Sequence, residues 1–389
     1  MPMVISRKPF LAITAILIVL GGIYLGTRLV PPQPTSPRST VSRALGEAED
    51  KGYARARTPR AFSFPADHGP HPTFRTEWWY FTGNLTDPQE RPFGFELAFF
   101  RIALSPTRAA SESAWRTQQL YMAHFALTDV AAKQFHAYER FSREALGLAG
   151  AKTDTLHVWL EDWSIEPQDP SGFPLRLRAA ENNIALDLTL NPGKPPVLQG
   201  DQGLSQKSGE PGNASYYYSI TRIPTSGLIR IDNQDLEIKG DSWLDREWST
   251  SALGPDQVGW DWFALQLSDQ REIMFYRLRQ RDGKPSPFSA GSLIDAQGGV
   301  LRLNHKEVVI EALDQWASPT DGALYPARWR FKIPQEALEL DIQPLLANQE
   351  LNISVRYWEG AVRIYGTAVG LPIEGRGYVE LTGYAAPRK

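Results

Sequence analysis

The stretch Gly240–Leu267, GDSWLDREWSTSALGPDQVGWDWFALQL, carries Trp243, Trp248, Trp260 and Trp262, with the acids Asp241, Asp245, Glu247, Asp256 and Asp261 around a single Arg246. A surface loop has no use for so many indoles, and a plain core has none for so many carboxylates. The mixture suits a lined pocket or a domain interface. Trp260–Leu267 reads as a strand, in which successive side chains alternate faces. Asp261, Phe263, Leu265 and Leu267 then share the more apolar, inward face, and Trp260, Trp262, Ala264 and Gln266 share the other. A carboxylate on an inward face must be paired, hydrogen-bonded or protonated, because an isolated buried charge costs too much.

The same texture extends both ways. WWYFTGNL, FGFELAFFRI and LYMAHFALTDV lie upstream, EIMFYRLR and LNISVRYWEGAVRIYG downstream, separated by turns rich in Asp, Gly, Asn and Pro. Such spacing predicts an all-β chain of antiparallel barrels or sandwiches. Helix is confined to short turns near Ser142–Ala149 and Leu345. A shift of 182 residues superposes Phe81 on Phe263, Leu85 on Leu267 and Asp87 on Asp269. The echo predicts two tandem β domains, 61–245 and 246–389.

The N-terminus has a different character. Arg7 and Lys8 precede the uncharged run Pro9–Thr27, long enough to cross a bilayer. Residues 1–30 therefore read as a membrane-spanning or signal segment, with residues 9–27 favoured as an uncleaved anchor that leaves the body periplasmic. The Pro-rich residues 31–60 read as a linker. A net charge of −3 and the lack of a basic run argue against nucleic acid. With no cysteine, disulfides, thiolate catalysis and Cys-ligated zinc are excluded.

Two constellations carry candidate chemistry. In DHGPHPTFRTEWWYFTGNL, Asp67–Leu85, strand alternation places Glu77 on the face of Trp79, Phe81 and Leu85. Glu77 is then either an ion-paired pin, with Arg75 or Arg246 as partner, or a general acid lifted by its apolar surroundings. His68 and His71 form a weak metal candidate, better read as loop histidines capping backbone groups. The second constellation is Asp245, Arg246, Glu247 and Trp248. It is either a salt-bridge knot joining the domains or a catalytic pair, with Asp245 or Asp261 donating a proton and the Trp248 indole stabilising a cation. His124 reads as a satisfied core histidine. No nucleotide, phosphate or cofactor motif is present, and no cofactor is expected.

FPADHGPHPTFRTEWWYFTGNL, AHFALTD, YYYSITR, GDSWLDREWS, GWDWFALQL and GRGYVELTGY resemble the lipocalin-like carotenoid 1,2-hydratase and AttH attachment-protein superfamily over about residues 60–386. The resemblance implies two tandem lipocalin-like antiparallel β-barrels. Its better-understood branch hydrates the terminal double bond of an acyclic carotenoid. Hydratase-type members resemble Asp-His-x-Trp where this chain has Asp245, Arg246 and Trp248, and arginine is a poor proton shuttle. Their Tyr-x-Asp pair is not matched either, since Tyr276 precedes Arg277 and Leu278. The fold transfers better than the activity. The expected role is binding of a long apolar molecule, a lipid or isoprenoid, in an aromatic-lined cavity, with Trp78, Trp79, Tyr80, Arg246, Trp248, Trp260 and Trp262 as its contacts. Glu77, Asp245, Glu247 and Asp261 are the carboxylates for a hydratase or hydrolase, and a non-catalytic envelope-complex partner is the remaining reading.

Overall fold

The computed structural model describes residues 51–107, 117–170, 172–251 and 253–385. The expected anchor and most of the linker lie outside them. Among the described residues the only helix is two 3-10 turns, Ala66–His68 and Pro334–Glu336. The stretches near Ser142–Ala149 and Leu345 form turns and bends. All the rest of the regular structure is antiparallel strand, in one sheet of thirteen strands and a second of ten.

Both sheets are built to one plan. In the first, the strand Thr76–Thr86 lies between Pro92–Ala103 and Gln234–Ser249. In the second, Gln257–Leu267 lies between Glu272–Gln280 and Leu371–Leu381. Each sheet then continues by meandering outward on both sides. The 182-residue echo thus marks the central strand of each sheet. The chain passes from one sheet to the other between Ser249 and Gln257, a few residues beyond the division expected at 245/246, because the strand carrying Asp245 runs on to Ser249 in the first sheet.

Each sheet curls around its own apolar filling. Trp79, Phe81, Leu97, Phe125, Trp163 and Leu244 belong to the first core, and Phe263, Leu265, Trp329, Phe331, Trp358 and Val379 to the second. In the first sheet the curl brings Gln134–Arg143 against Val158–Leu160. Arg140 latches it there through Glu161, Asp162 and Glu181, its guanidinium over the Trp163 ring.

The central strands are buried on both faces, unlike the half-solvated strands of most antiparallel sheets. Residues of one parity fill a barrel. Those of the other parity, including Tyr80, Ala98, Met122, Tyr217, Trp243, Trp262, Ala264, Tyr357 and Tyr378, form a third apolar cluster where the two sheets meet face to face. Burial of this second face welds the two sheets together, since apolar area removed from water is the main favourable term available to them.

Candidate functional site

Alternation along the strand decides where each candidate goes. Glu77 is fully buried on the barrel side, bonded to both Arg101 and Arg246, and it accepts the His71 backbone N–H at 3.0 Å. Arg246 lies 3.9 Å from the Trp79 ring centroid and donates to the Gly69 carbonyl at 2.6 Å. Burial alone would raise the Glu77 carboxyl, but the two guanidiniums hold it well below the usual carboxylate range. It is a structural pin and not a raised general acid.

Asp261 is pinned likewise, by Arg277 at 2.5 Å, Arg279 at 3.0 Å and the Tyr384 hydroxyl at 2.8 Å. It is no proton donor to the cleft, because it faces the second barrel. Trp248 also points into a barrel, stacked on His71 at 3.7 Å between ring centroids. The expected pairing of Asp245 with Trp248 fails for a simple reason: residues three apart on a strand lie on opposite faces. Arg246, Trp79 and Trp248, expected to contact a ligand, therefore face the interior of the first barrel and do not line the cleft. The knot expected between the domains is instead internal to the first barrel.

His68 and His71 are committed to side-chain partners as well as to the loop. His68 Nδ1 is 2.5 Å from the Tyr218 hydroxyl, and His71 Nε2 is 3.0 Å from Asp67. Burial and the nearby Arg246 push the His68 imidazole down to about 4, so it is neutral at physiological pH.

Asp245 and Glu247 face the other way, into a cleft between the sheets. Trp78, Tyr80, Phe100, Tyr217, Trp260, Trp262, Tyr276 and Tyr357 wall it, with Lys207, Asp245, Glu247 and Glu380 as its charged groups. The cavity measures about 90 Å³, room for on the order of six waters by that measure. Asp245 accepts hydrogen bonds from Tyr217 at 2.5 Å, Ser219 at 2.6 Å and Trp243 at 2.7 Å. Burial raises its carboxyl, the three donors pull it back, and Glu247 pushes again, leaving it at about 7. Glu380 accepts one bond, from Trp260 at 2.9 Å. Burial, with Asp245 and Glu247 nearby, lifts it to about 7 as well.

Lys207 sits 3.1 Å from Glu247 and 4.1 Å from the Tyr276 ring centroid. Although burial disfavours its charge, Glu247 and Tyr276 hold the amine above its usual range.

Glu380, Lys207, Tyr217 and Tyr357 were not singled out in the sequence, and Tyr276 only as the tyrosine of an unmatched Tyr-x-Asp pair. Glu380 had a signal there. Tyr80 pairs across strands with Asp245, and Trp262, its counterpart under the 182-residue shift, pairs with Glu380. The two acids are therefore equivalent positions of a duplicated unit. Finding this required knowing which late strand closes on Trp262.

A tandem pair of lipocalin-like barrels, with raised carboxyls in an aromatic cleft where they meet, defines the class. The family model described as AttH-like matches residues 55–384. A putative AttH from Nitrosomonas europaea has a solved structure 35% identical to this chain, covering 85% of this chain and 100% of that one, with a TM-score of 0.76. The chain belongs to the AttH-like family. It is also similar in structure to kievitone hydratase from Nectria haematococca, at 16% identity, 91% and 98% coverage and a TM-score of 0.66, a likeness of fold. Among curated proteins, none matches the chain.

Proposed function

We propose that the cleft adds water across a carbon–carbon double bond near one end of an apolar molecule of isoprenoid or lipid type. The observation that carries this reading is the pair Asp245 and Glu380, two carboxyls near 7 in one indole-lined cleft, where each is available as acid or base at neutral pH. Three donors favour the ionised form of Asp245, which makes it the base; Glu380, with one, is the acid.

The Glu380 proton goes to one alkene carbon as the π pair forms the C–H bond, leaving a cation on the other. The faces of Trp78, Trp260 and Trp262 stabilise that cation. Water attacks it, and Asp245 takes the proton that water loses. One C–H and one C–O bond form, the π bond is lost, and a proton passed from Asp245 back to Glu380 resets the site.

The barrel interiors are filled with side chains, so the ligand enters between the sheets and not inside a barrel. A cavity of this size takes a short branched end plus one water, with the rest of a long molecule in the mouth. Kievitone hydratase, by its name, hydrates kievitone. Kievitone and an acyclic isoprenoid are therefore the first substrates to try.

Hydrolysis is less well supported. Ser205 Oγ lies 3.0 Å from Lys207 Nζ, but a lysine held charged cannot take the serine proton. We also propose that residues 9–27 anchor the chain, with the body outside the cytoplasmic membrane beside apolar substrates; fractionation of cells tests it.

The decisive assay follows ¹⁸O from labelled water into product. The wild type is expected to incorporate it, and Glu380→Gln and Asp245→Asn each to lose at least about a hundredfold in rate while staying folded. Wild-type protein that binds these molecules without incorporating ¹⁸O would make the cleft a carrier site.

A further inference from the structure

Behind the cleft wall lies a second group of acids that the proposed reaction does not use. Glu96 and Glu359 are fully buried where the sheets meet, and the Oε2 atom of each has no hydrogen-bond partner among the described residues. Neither lines the cleft, but two cleft tyrosines touch them. Tyr80 donates its hydroxyl to Glu359, and the Tyr357 hydroxyl lies 3.0 Å from Glu96 Oε1. Burial raises both carboxyls against the pull of the Tyr357 and Tyr80 hydrogen bonds, and neighbouring acids add to the rise; Glu96 reaches about 8 and so holds its proton at neutral pH.

From Tyr357 a line of exchangeable protons leads outward. Its hydroxyl is 2.7 Å from His124 Nδ1, and His124 Nε2 lies 3.3 Å from Oε1 of Glu139, a contact that a small turn of the imidazole must bring into line before a proton can pass. Glu139 is held by the Ser354 hydroxyl at 2.5 Å and is 13% exposed on an outer strand. His124 itself is fully buried, and burial lowers its basicity against the opposing pull of Glu139, so it stays neutral.

We propose that Glu96, Tyr357, His124 and Glu139 form a proton relay between the acids behind the cleft and bulk solvent, working when the cleft mouth is filled by ligand. One hydroxyl proton and one imidazole proton allow two self-consistent arrangements. In the first, protonated Glu96 donates to the Tyr357 oxygen, Tyr357 donates to His124 Nδ1, and His124 donates from Nε2 to ionised Glu139. Shifting three protons by one place gives the second: Glu139 is protonated, His124 carries its proton on Nδ1, Tyr357 donates to ionised Glu96, and one negative charge has moved inward. The imidazole is neutral in both, so no charged group need be stabilised midway. Reversal, with Glu139 taking its proton from water, resupplies the interior.

The relay deepens the acid–base reading, but its test needs no substrate. Infrared spectra of the full chain at about pH 6 isolate the carbonyl stretch of protonated carboxyls, because exposed acids are ionised there. Glu96→Gln is expected to delete one component of that band. After transfer to D₂O, that component is expected to shift quickly in the wild type. In Glu139→Gln, whose amide cannot take up the proton, it is expected to shift at least about tenfold more slowly. Backbone amide exchange of the strands around Glu96 should be unchanged, because position 139 is near the surface. A wild-type exchange rate in Glu139→Gln, or a carboxyl band untouched by Glu96→Gln, overturns the relay. A failed hydration assay would leave this result standing.

Discussion

The barrel interiors and the cleft side of the seam both bury carboxylates, and they treat them in opposite ways; at the seam's edge Glu272 follows the barrel pattern, paired with Lys194 and Arg222. Inside the barrels, Glu77 and Asp261 each meet two arginines. At the seam, Asp245, Glu96, Glu359 and Glu380 have hydroxyls and indoles for partners, and Lys207 is the one cation among the described cleft residues. The two guanidiniums beside Glu77 hold its carboxyl in the charged form, so it can only hold strands together. Acids partnered by neutral donors keep both protonation states within reach near neutral pH, which is what proton chemistry requires.

The largest expected effect breaks the barrel side of this contrast. Glu77→Gln leaves Arg101 and Arg246 buried without a counter-charge, and breaking a buried pair in this way costs about 3–5 kcal/mol. Asp261→Asn should approach it, although its arginines are partly exposed. Denaturant melts read out both. A loss below about 1 kcal/mol for Glu77→Gln would mean the pair is not the pin it looks like.

A smaller effect concerns pH and separates the two regions in a single protein. The seam carboxyls have folded values raised from ordinary ones near 4, Asp245 and Glu380 to about 7 and Glu96 and Glu359 upward too. Between those limits the folded state binds more protons than the unfolded, so stability falls as pH rises. The seam contribution is fully present below about pH 4 and lost as pH climbs through about 7 and beyond. Glu77, lowered on folding, acts in reverse, its contribution being lost only in acid. Urea midpoints are therefore expected to decline from about pH 7 to about pH 9, above the interval in which the buried neutral His68 and His124 add stability as pH rises, and Glu96→Gln to flatten the decline. A profile that rises over this range would show that the seam acids are ionised when buried.

Much of this was legible in the sequence. Alternation in WDWFALQL gave the inward face of Asp261, the 182-residue echo gave two like domains, and an ion pair with Arg246 was one of two open readings for Glu77. The readings failed where strand parity was not carried through to its consequence. Asp245 and Trp248 were paired although an odd spacing separates them across the sheet. The other face of each central strand was taken for the less buried one, when it forms the seam. Arg101 sits on the next hairpin strand, opposite Glu77, and was missed because the register of that hairpin was not worked out; Lys207 and Glu380 arrive from far along the chain, and pairing between distant strands leaves no local pattern. His124 was read as a satisfied core histidine. It is indeed buried, but it faces the seam, and its Nε2 has only a long contact with Glu139.

The smallest expected effect sharpens the contrast most. Asp245→Asn keeps a carbonyl oxygen for Ser219 and Trp243, and its amide nitrogen can donate to the Tyr217 oxygen in place of accepting from it. The substitution also removes a charge that burial disfavours. No guanidinium is left stranded, so stability should change by less than about 1 kcal/mol in either direction. If the same melt that registers several kcal/mol for Glu77→Gln registers almost nothing for Asp245→Asn, the seam carboxylate is not there to hold the fold. A large loss would place Asp245 with Glu77, as a structural group in a well-packed interface, and would leave the cleft without its base.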